Sequence, residues 1–148
     1  MRILEVGTGF APIPPMGAYA VEKIIHSLSW ALEALGHEVT VLDIKEKNRL
    51  PVAYKVVEVP LHWRKDVNLP THILRGCAFR QASRQALRIL LEEERFDIVN
   101  FHNQFSASHI LLVRRYDIPA VYSLHNALWY NTDACQSHWQ RLKFFHDL

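Results

Sequence analysis

Short β-branched runs alternate with amphipathic helical stripes along this chain, and that alternation restricts the fold more than any other feature of the sequence. The opening run, residues 3–6, reads Ile-Leu-Glu-Val and leads into a turn-rich stretch over 7–17 that contains Pro12, Pro14 and Pro15. From Val21 the apolar residues fall at Val21, Ile24, Ile25, Leu28, Ala31, Leu32 and Leu35, the spacing of a helix laid on a sheet. Gly36 stands where a left-handed C-cap is wanted, and a second strand follows over 38–44. Further strands are expected over 55–61, 97–103 and 119–126, with helices over 78–94 and from Ser106 to about Tyr116. Between them lies an irregular segment, 62–76, long enough to serve a ligand or an acidic acceptor through Arg64, Lys65, His72 and Arg75 or simply to be solvated. Strands this apolar have no wet face, so the expectation is one α/β domain: a Rossmann-like, doubly wound parallel sheet with helices on both faces.

The bulk composition excludes several classes. With 148 residues and 49% hydrophobic content the chain can bury a sizeable core. Seventeen basic against fifteen acidic residues leave a formal charge of +2, which argues against nucleic acid as a partner. Cys77 and Cys135 form no Cys-x-x-Cys pattern, so free thiols in a reducing cytosol are expected. Met1 leads directly into a strand and no apolar run approaches a spanning length, which points to the cytoplasm and leaves a peripheral membrane contact open.

Two strand ends carry the chemistry. Open α/β sheets bind ligands at the carboxyl ends of their strands, and here the fourth and fifth strands both finish on His-Asn: His102-Asn103 and His125-Asn126. If those strands are neighbours, both pairs project over one edge and offer imidazole and amide groups to hydroxyls or a carbonyl. The first loop begins Gly7-Thr8-Gly9, but Pro12 occupies the third glycine position of the dinucleotide fingerprint, which argues against NAD or FAD. The helix after that loop can still hold an anion at its N-terminus. Glu22 in its first turn would repel a phosphate unless its carboxylate turns to a hydroxyl. The nine histidines form no zinc-spaced set, so no metal is expected. A Gly-x-Ser-x-Gly elbow is absent.

The order and spacing of four segments resemble the N-terminal domain of a GT-B glycosyltransferase of the retaining group 1 or family 4 type. They are the opening strand with its Pro-containing loop, residues 20–25 leading to 35–41, residues 96–103, and residues 119–126. The resemblance implies that residues 1–148 form the acceptor-side, N-terminal Rossmann-like half of a transferase whose C-terminal donor-binding domain would lie beyond Leu148. It implies sugar transfer from a nucleotide-sugar donor to a hydroxyl acceptor, a sugar or a lipid-linked group, with retention and with no cofactor other than the donor as substrate. His125 would be the catalytic residue. Gly17, Tyr19, Ala20, Glu22, His102, Asn103 and Asn126 would bind substrate, although Tyr19 stands where the family has the first of two small residues and Gly17-Ala18 lies two positions away. By itself the domain would be inactive, and the aromatic tail with Trp129, Trp139 and Phe145 would pack in the complete enzyme or drive self-association. A non-catalytic Rossmann-like binding or assembly subunit is the competing reading, and an oxidoreductase a third.

Overall fold

The computed structural model describes residues 1–61, 71–102, 107–123 and 125. Five strands, β1 (Arg2–Val6), β2 (Glu38–Ile44), β3 (Lys55–Val59), β4 (Ile98–His102) and β5 (Ala120–Ser123), form one all-parallel sheet in the order β3-β2-β1-β4-β5. The helices are α1 (Ala20–Ala34), α2 (Thr71–Glu93) and α3 (Ala107–Arg114). The chain therefore winds outward from β1 through β2 to β3, then returns to place β4 on the other side of β1. That reversal is the topological switch point of an α/β sheet, and it lies between the carboxyl ends of β1 and β4.

Alternation of side chains along each strand divides the core into two layers. Leu4, Val6, Val99 and Phe101 face one side, where Phe79, Leu87, Leu90 and Leu91 of α2 and Ile110, Leu112 and Val113 of α3 cover them. Ile3, Val39 and Val41 face the other side, beneath Ile25 of α1, Ile13 of the first loop and Tyr54. The doubly wound, two-faced architecture expected from the sequence is the one observed.

Four local expectations need correction. The segment read as irregular over 62–76 is helical from Thr71, so α2 begins seven residues early; residues 62–70 lie outside the described residues. The fifth strand ends at Ser123, not Asn126, and β3 ends at Val59. On α1 the buried face is Glu22, Ile25 and Ser29, whereas Ile24, Leu28 and Leu35 are exposed. Val21, Ile25 and Leu32 of the expected stripe do pack on the sheet, and they share the inward side with Glu22, which accepts a hydrogen bond from Thr8 of the first loop, and with the small Ser29. Gly36, at φ +82°, caps α1 as expected.

The glycines of the first loop are explained by packing. A Cβ on Gly7 would come within 3.2 Å of Asp43 Oδ1, Ile13 and the Leu42 carbonyl. One on Gly9, at φ +77°, would lie 2.3 Å from the Phe79 ring. The loop is then clamped to β2: the Ile13 N–H donates to Asp43 Oδ2 at 2.7 Å, and Arg49 Nη1 donates to the same oxygen at 2.8 Å while also reaching the Ile13 carbonyl.

Substituting Gly9 by Ala adds both a left-handed strain and a clash with a buried ring, so its expected cost is roughly 2–4 kcal/mol. Gly36→Ala meets open space and should cost only about 1 kcal/mol. Urea unfolding midpoints of the two variants check the order.

Two buried groups give stability an opposed pH dependence. Burial lowers the His109 imidazole to about 4, with Arg84 and Arg80 adding to the effect, so the folded chain resists a proton that the unfolded chain accepts below its ordinary value of 6.5. Stability from this group is lost as pH falls from 6.5 toward 4. Burial raises the Asp43 carboxyl to about 6 against the pull of Arg49, so this group contributes the reverse: stability gained as pH falls from 6 toward 3.8. Acidifying from pH 6.5 to 4 should therefore destabilise Asp43→Asn more steeply than wild type and His109→Gln less steeply. Each difference should be on the order of 2–3 kcal/mol in chemical unfolding.

Candidate active site at the switch point

Glu5 on β1 and Asn100 on β4 are register partners, and His102 is paired with Ser123 of β5. Glu5 lies two residues from Ile3, and Asn100 and His102 lie two and four from Ile98, so strand alternation sends them to the α1 side of the sheet, and Ser123 shares that side as the register partner of His102. There β1 and β4 carry a polar set where the opposite face carries Leu4, Val6, Val99 and Phe101. Glu5 and His102 are each only 1% exposed, and Asn100 is buried.

The set is connected by hydrogen bonds. Asn100 Nδ2 donates to Glu5 Oε2 at 2.9 Å, and the Ser123 hydroxyl donates to Asn100 Oδ1 at 3.0 Å, which fixes the orientation of the amide. His102 Nε2 lies 2.6 Å from the same Glu5 oxygen. On its other side, His102 Nδ1 lies 2.8 Å from His125 Nε2. The two imidazoles are tilted by only 12°, with centroids 5.1 Å apart. That separation is filled by the 2.8 Å gap and the two ring radii, so the rings sit edge to edge in nearly one plane, the arrangement an N–H···N bond requires.

His125 itself lies two residues past β5 and is half-buried. Burial and the neighbouring His102 hold its imidazole below the usual histidine range, while the charge of Glu22 acts in the opposite direction. Glu22, in the first turn of α1, is near enough for its charge to act on that ring. Its carboxylate, 3% exposed, accepts a hydrogen bond from the Thr8 hydroxyl, whose oxygen in turn accepts the Phe10 N–H at 3.2 Å.

The structure thus brings together three of the residues singled out from sequence: His102, His125 and Glu22. Gly17, Tyr19 and Ala20 are exposed at the entrance to α1, where Tyr19 is the N-cap residue and makes no side-chain capping bond. Asn103 and Asn126 lie outside the described residues, as do the aromatic tail and Cys135. Sequence reasoning passed over Glu5, Thr8, Asn100 and Ser123. A signal existed for two of them, since Glu5 and Asn100 each interrupt an otherwise apolar strand.

Chemically, the site offers hydrogen-bonding imidazole, carboxylate, amide and hydroxyl groups, and among the described residues its hydrogen-bonded members include no Lys or Arg. Such a lining suits a polyhydroxylated ligand better than an anion. Among the described residues, no three His, Cys, Asp or Glu side chains are grouped to hold a metal ion, and no helix is long and apolar enough to cross a membrane.

Comparison with solved structures places this fold among several proteins. The C-terminal domain of a Pyrococcus furiosus hydrogenase is similar at 19% identity and TM-score 0.55, over 83% of this chain and 90% of that domain. The glycosyltransferase SsfS6 of Streptomyces sp. SF2575 matches at 22% identity and TM-score 0.53, over 84% of this chain and 39% of that one. UGT2 of Phytolacca americana, complexed with UDP-2-fluoro-glucose and pterostilbene, matches at 15% identity and TM-score 0.57, over 86% of this chain and 31% of that one. The chain thus spans less than two fifths of either glycosyltransferase. Curated proteins offer no sequence match. The sequence profile of Glycosyltransferase Family 4 matches residues 21–146, nearly the whole chain, from the first turn of α1 through both His-Asn segments. By that match, the chain belongs to Glycosyltransferase Family 4.

Proposed function

We propose that this chain forms the acceptor-side wall of a two-domain transferase that moves a sugar from a nucleotide-sugar donor to a hydroxyl acceptor with retention at the anomeric carbon. The observation that carries this reading is the contact that holds His125, just past β5, edge to edge against buried His102 at the end of β4. Family membership supports sugar transfer, and the UDP-sugar bound by the UGT2 structure supports the class of donor.

In this reading the bond from the anomeric carbon to the leaving phosphate breaks and its electron pair passes to the phosphate oxygen. The acceptor oxygen bonds to the same carbon, and its proton goes to the leaving phosphate. His125 accepts a hydrogen bond from a sugar hydroxyl and so stabilises the positive charge that develops on the ring. The buried carboxylate of Glu22 makes the entrance to α1 a better place for an acceptor hydroxyl than for the donor phosphate. Gly17, Tyr19 and Ala20 line that entrance, and Asn103 and Asn126 complete the two His-Asn pairs. No metal or organic cofactor is required, and the donor-binding contacts come from a C-terminal domain.

The test is turnover of the intact protein against a panel of nucleotide sugars, wild type beside His125→Ala. The expected loss in kcat is about 100-fold, the size typical of a removed transition-state hydrogen bond. Equal turnover in the two would overturn the role of His125, and tight NAD(P)H binding with no sugar transfer would overturn the transferase reading.

A further inference from the structure

We propose that Arg49, in the connection between β2 and β3, is a positioning residue for the site: it pins the middle of the first loop to the sheet, which holds Thr8 against Glu22 on one side of the pin and sets the entrance at Gly17 and Tyr19 on the other. The effect on an acceptor hydroxyl rests on the function proposed above; the pinning of the loop does not.

The prolines of the loop create the need for a pin. Residues 12–15 read Pro-Ile-Pro-Pro, and proline carries no backbone N–H. Ile13 therefore supplies the one main-chain donor of that stretch, and it goes to Asp43 Oδ2 at 2.7 Å. Main-chain pairing cannot tie such a segment to β2, so side chains must. Each nitrogen of Arg49 takes part. Nη1 donates to the Ile13 carbonyl and, at 2.8 Å, to the same Asp43 oxygen that receives the Ile13 N–H. Nη2 donates to the Ile44 carbonyl at the end of β2 at 2.5 Å, and Nε donates to Glu58 Oε1 of β3 at 3.2 Å. A rigid, planar fork can serve acceptors on the loop and on two strands at once, which the single ammonium of a lysine cannot.

The pin acts in both directions along the chain. Toward the N-terminus, the Gly7 N–H donates to the Leu42 carbonyl at 2.9 Å, so the span from Gly7 to Ile13 is fixed at both ends. Thr8 lies inside that span and is buried; its oxygen accepts the Phe10 N–H at 3.2 Å while its hydroxyl donates to Glu22. Toward the C-terminus, Pro14 and Pro15 have restricted φ and pass the position of Ile13 on to exposed Met16, Gly17, Ala18 and Tyr19, where α1 begins. Arg49 donates to none of the site residues itself, so its influence runs through the loop. Asp43 Oδ1 is buried without a hydrogen-bond partner, and an apolar pair in place of Asp43 and Arg49 would avoid that unmade bond. What the ion pair adds is a fixed place for Ile13.

Two measurements on Arg49→Met, Arg49→Lys and a control, Arg2→Met, separate positioning from lost stability; Arg2 makes its ion pairs with Glu38 and Glu94, at the start of β1. Amide hydrogen exchange of the chain, read by NMR without ligand, should rise in Arg49→Met about tenfold more at Phe10 and Ile13 than at Val41 and Val99 of the inner strands, the equivalent of one lost charge-assisted bond. Arg2→Met should raise all four alike. In the intact protein, transfer to methyl hexopyranosides as acceptors should show KM for the acceptor raised about tenfold in Arg49→Met, partly recovered in Arg49→Lys, with KM for the nucleotide sugar unchanged. A uniform rise in exchange in Arg49→Met, or none, overturns the pin. Local exchange with an unchanged acceptor KM overturns the positioning role. Should Arg49→Met fail to fold, Arg49→Lys carries the test, with a smaller rise expected at the same two amides and no rise overturning the proposal. Absence of transfer by wild type overturns the function proposed above and with it the effect on the acceptor, while the exchange result decides the pin by itself.

Discussion

The pairing of β1 with β4 is the constraint on which the site depends. Those strands are separated in sequence by two other strands and two helices, yet they lie side by side in register, Glu5 opposite Asn100. Because the chain runs outward from β1 to β2 and β3 and then returns to β4 on the other side of β1, the switch point falls at the junction of the two carboxyl ends, where open α/β sheets bind ligands. The same pairing carries Glu5 to within hydrogen-bond reach of both Asn100 and His102. Without that neighbour, a carboxylate in the interior of a strand would be an uncompensated buried charge, costing several kcal/mol.

The polar half of the sheet is a compromise between stability and specificity. A hydrophobic set at Glu5, Asn100 and His102 would pack the α1 side as fully as Leu4, Val99 and Phe101 pack the other, and buried ionic groups rarely outperform such packing. What the polar set provides instead is direction. Asn100 is oriented by Ser123 and Glu5, and the hydrogen-bonded chain continues from Glu5 through His102 to His125. A network connected in this way rigidifies the groups it contains.

The first loop shows how the same residues serve different ends in different folds. Gly7 and Gly9 have the placement of a phosphate-binding turn, but here their missing side chains make room for Asp43 and for the Phe79 ring. Beyond them Ile13 is sealed into the core by Asp43 and Arg49, and Glu22 turns its carboxylate to Thr8. The Glu22 carboxylate does turn to a hydroxyl, and that hydroxyl belongs to Thr8 of the first loop.

By itself the sequence determined the class of fold, because periods of two and of 3.6 in apolar residues are local and survive without any knowledge of neighbours. It also determined that His102 ends a strand, with His125 two residues beyond the end of the next one, and that the first loop departs from the dinucleotide pattern at Pro12. The tertiary structure alone decided which strand lies beside which, and hence that Glu5, Asn100 and Ser123 join the two histidines. Their polar character was visible in the strands, but a partner 95 residues away is not a local property. The rotation of α1 was likewise beyond the sequence: Ile24, Leu28 and Leu35 fit a helical stripe as well as Ile25 does, and only the contact surface beneath the helix selects Glu22, Ile25 and Ser29 as the buried face. Periodicity reports how a segment can pack, and the position of its neighbours decides how it does.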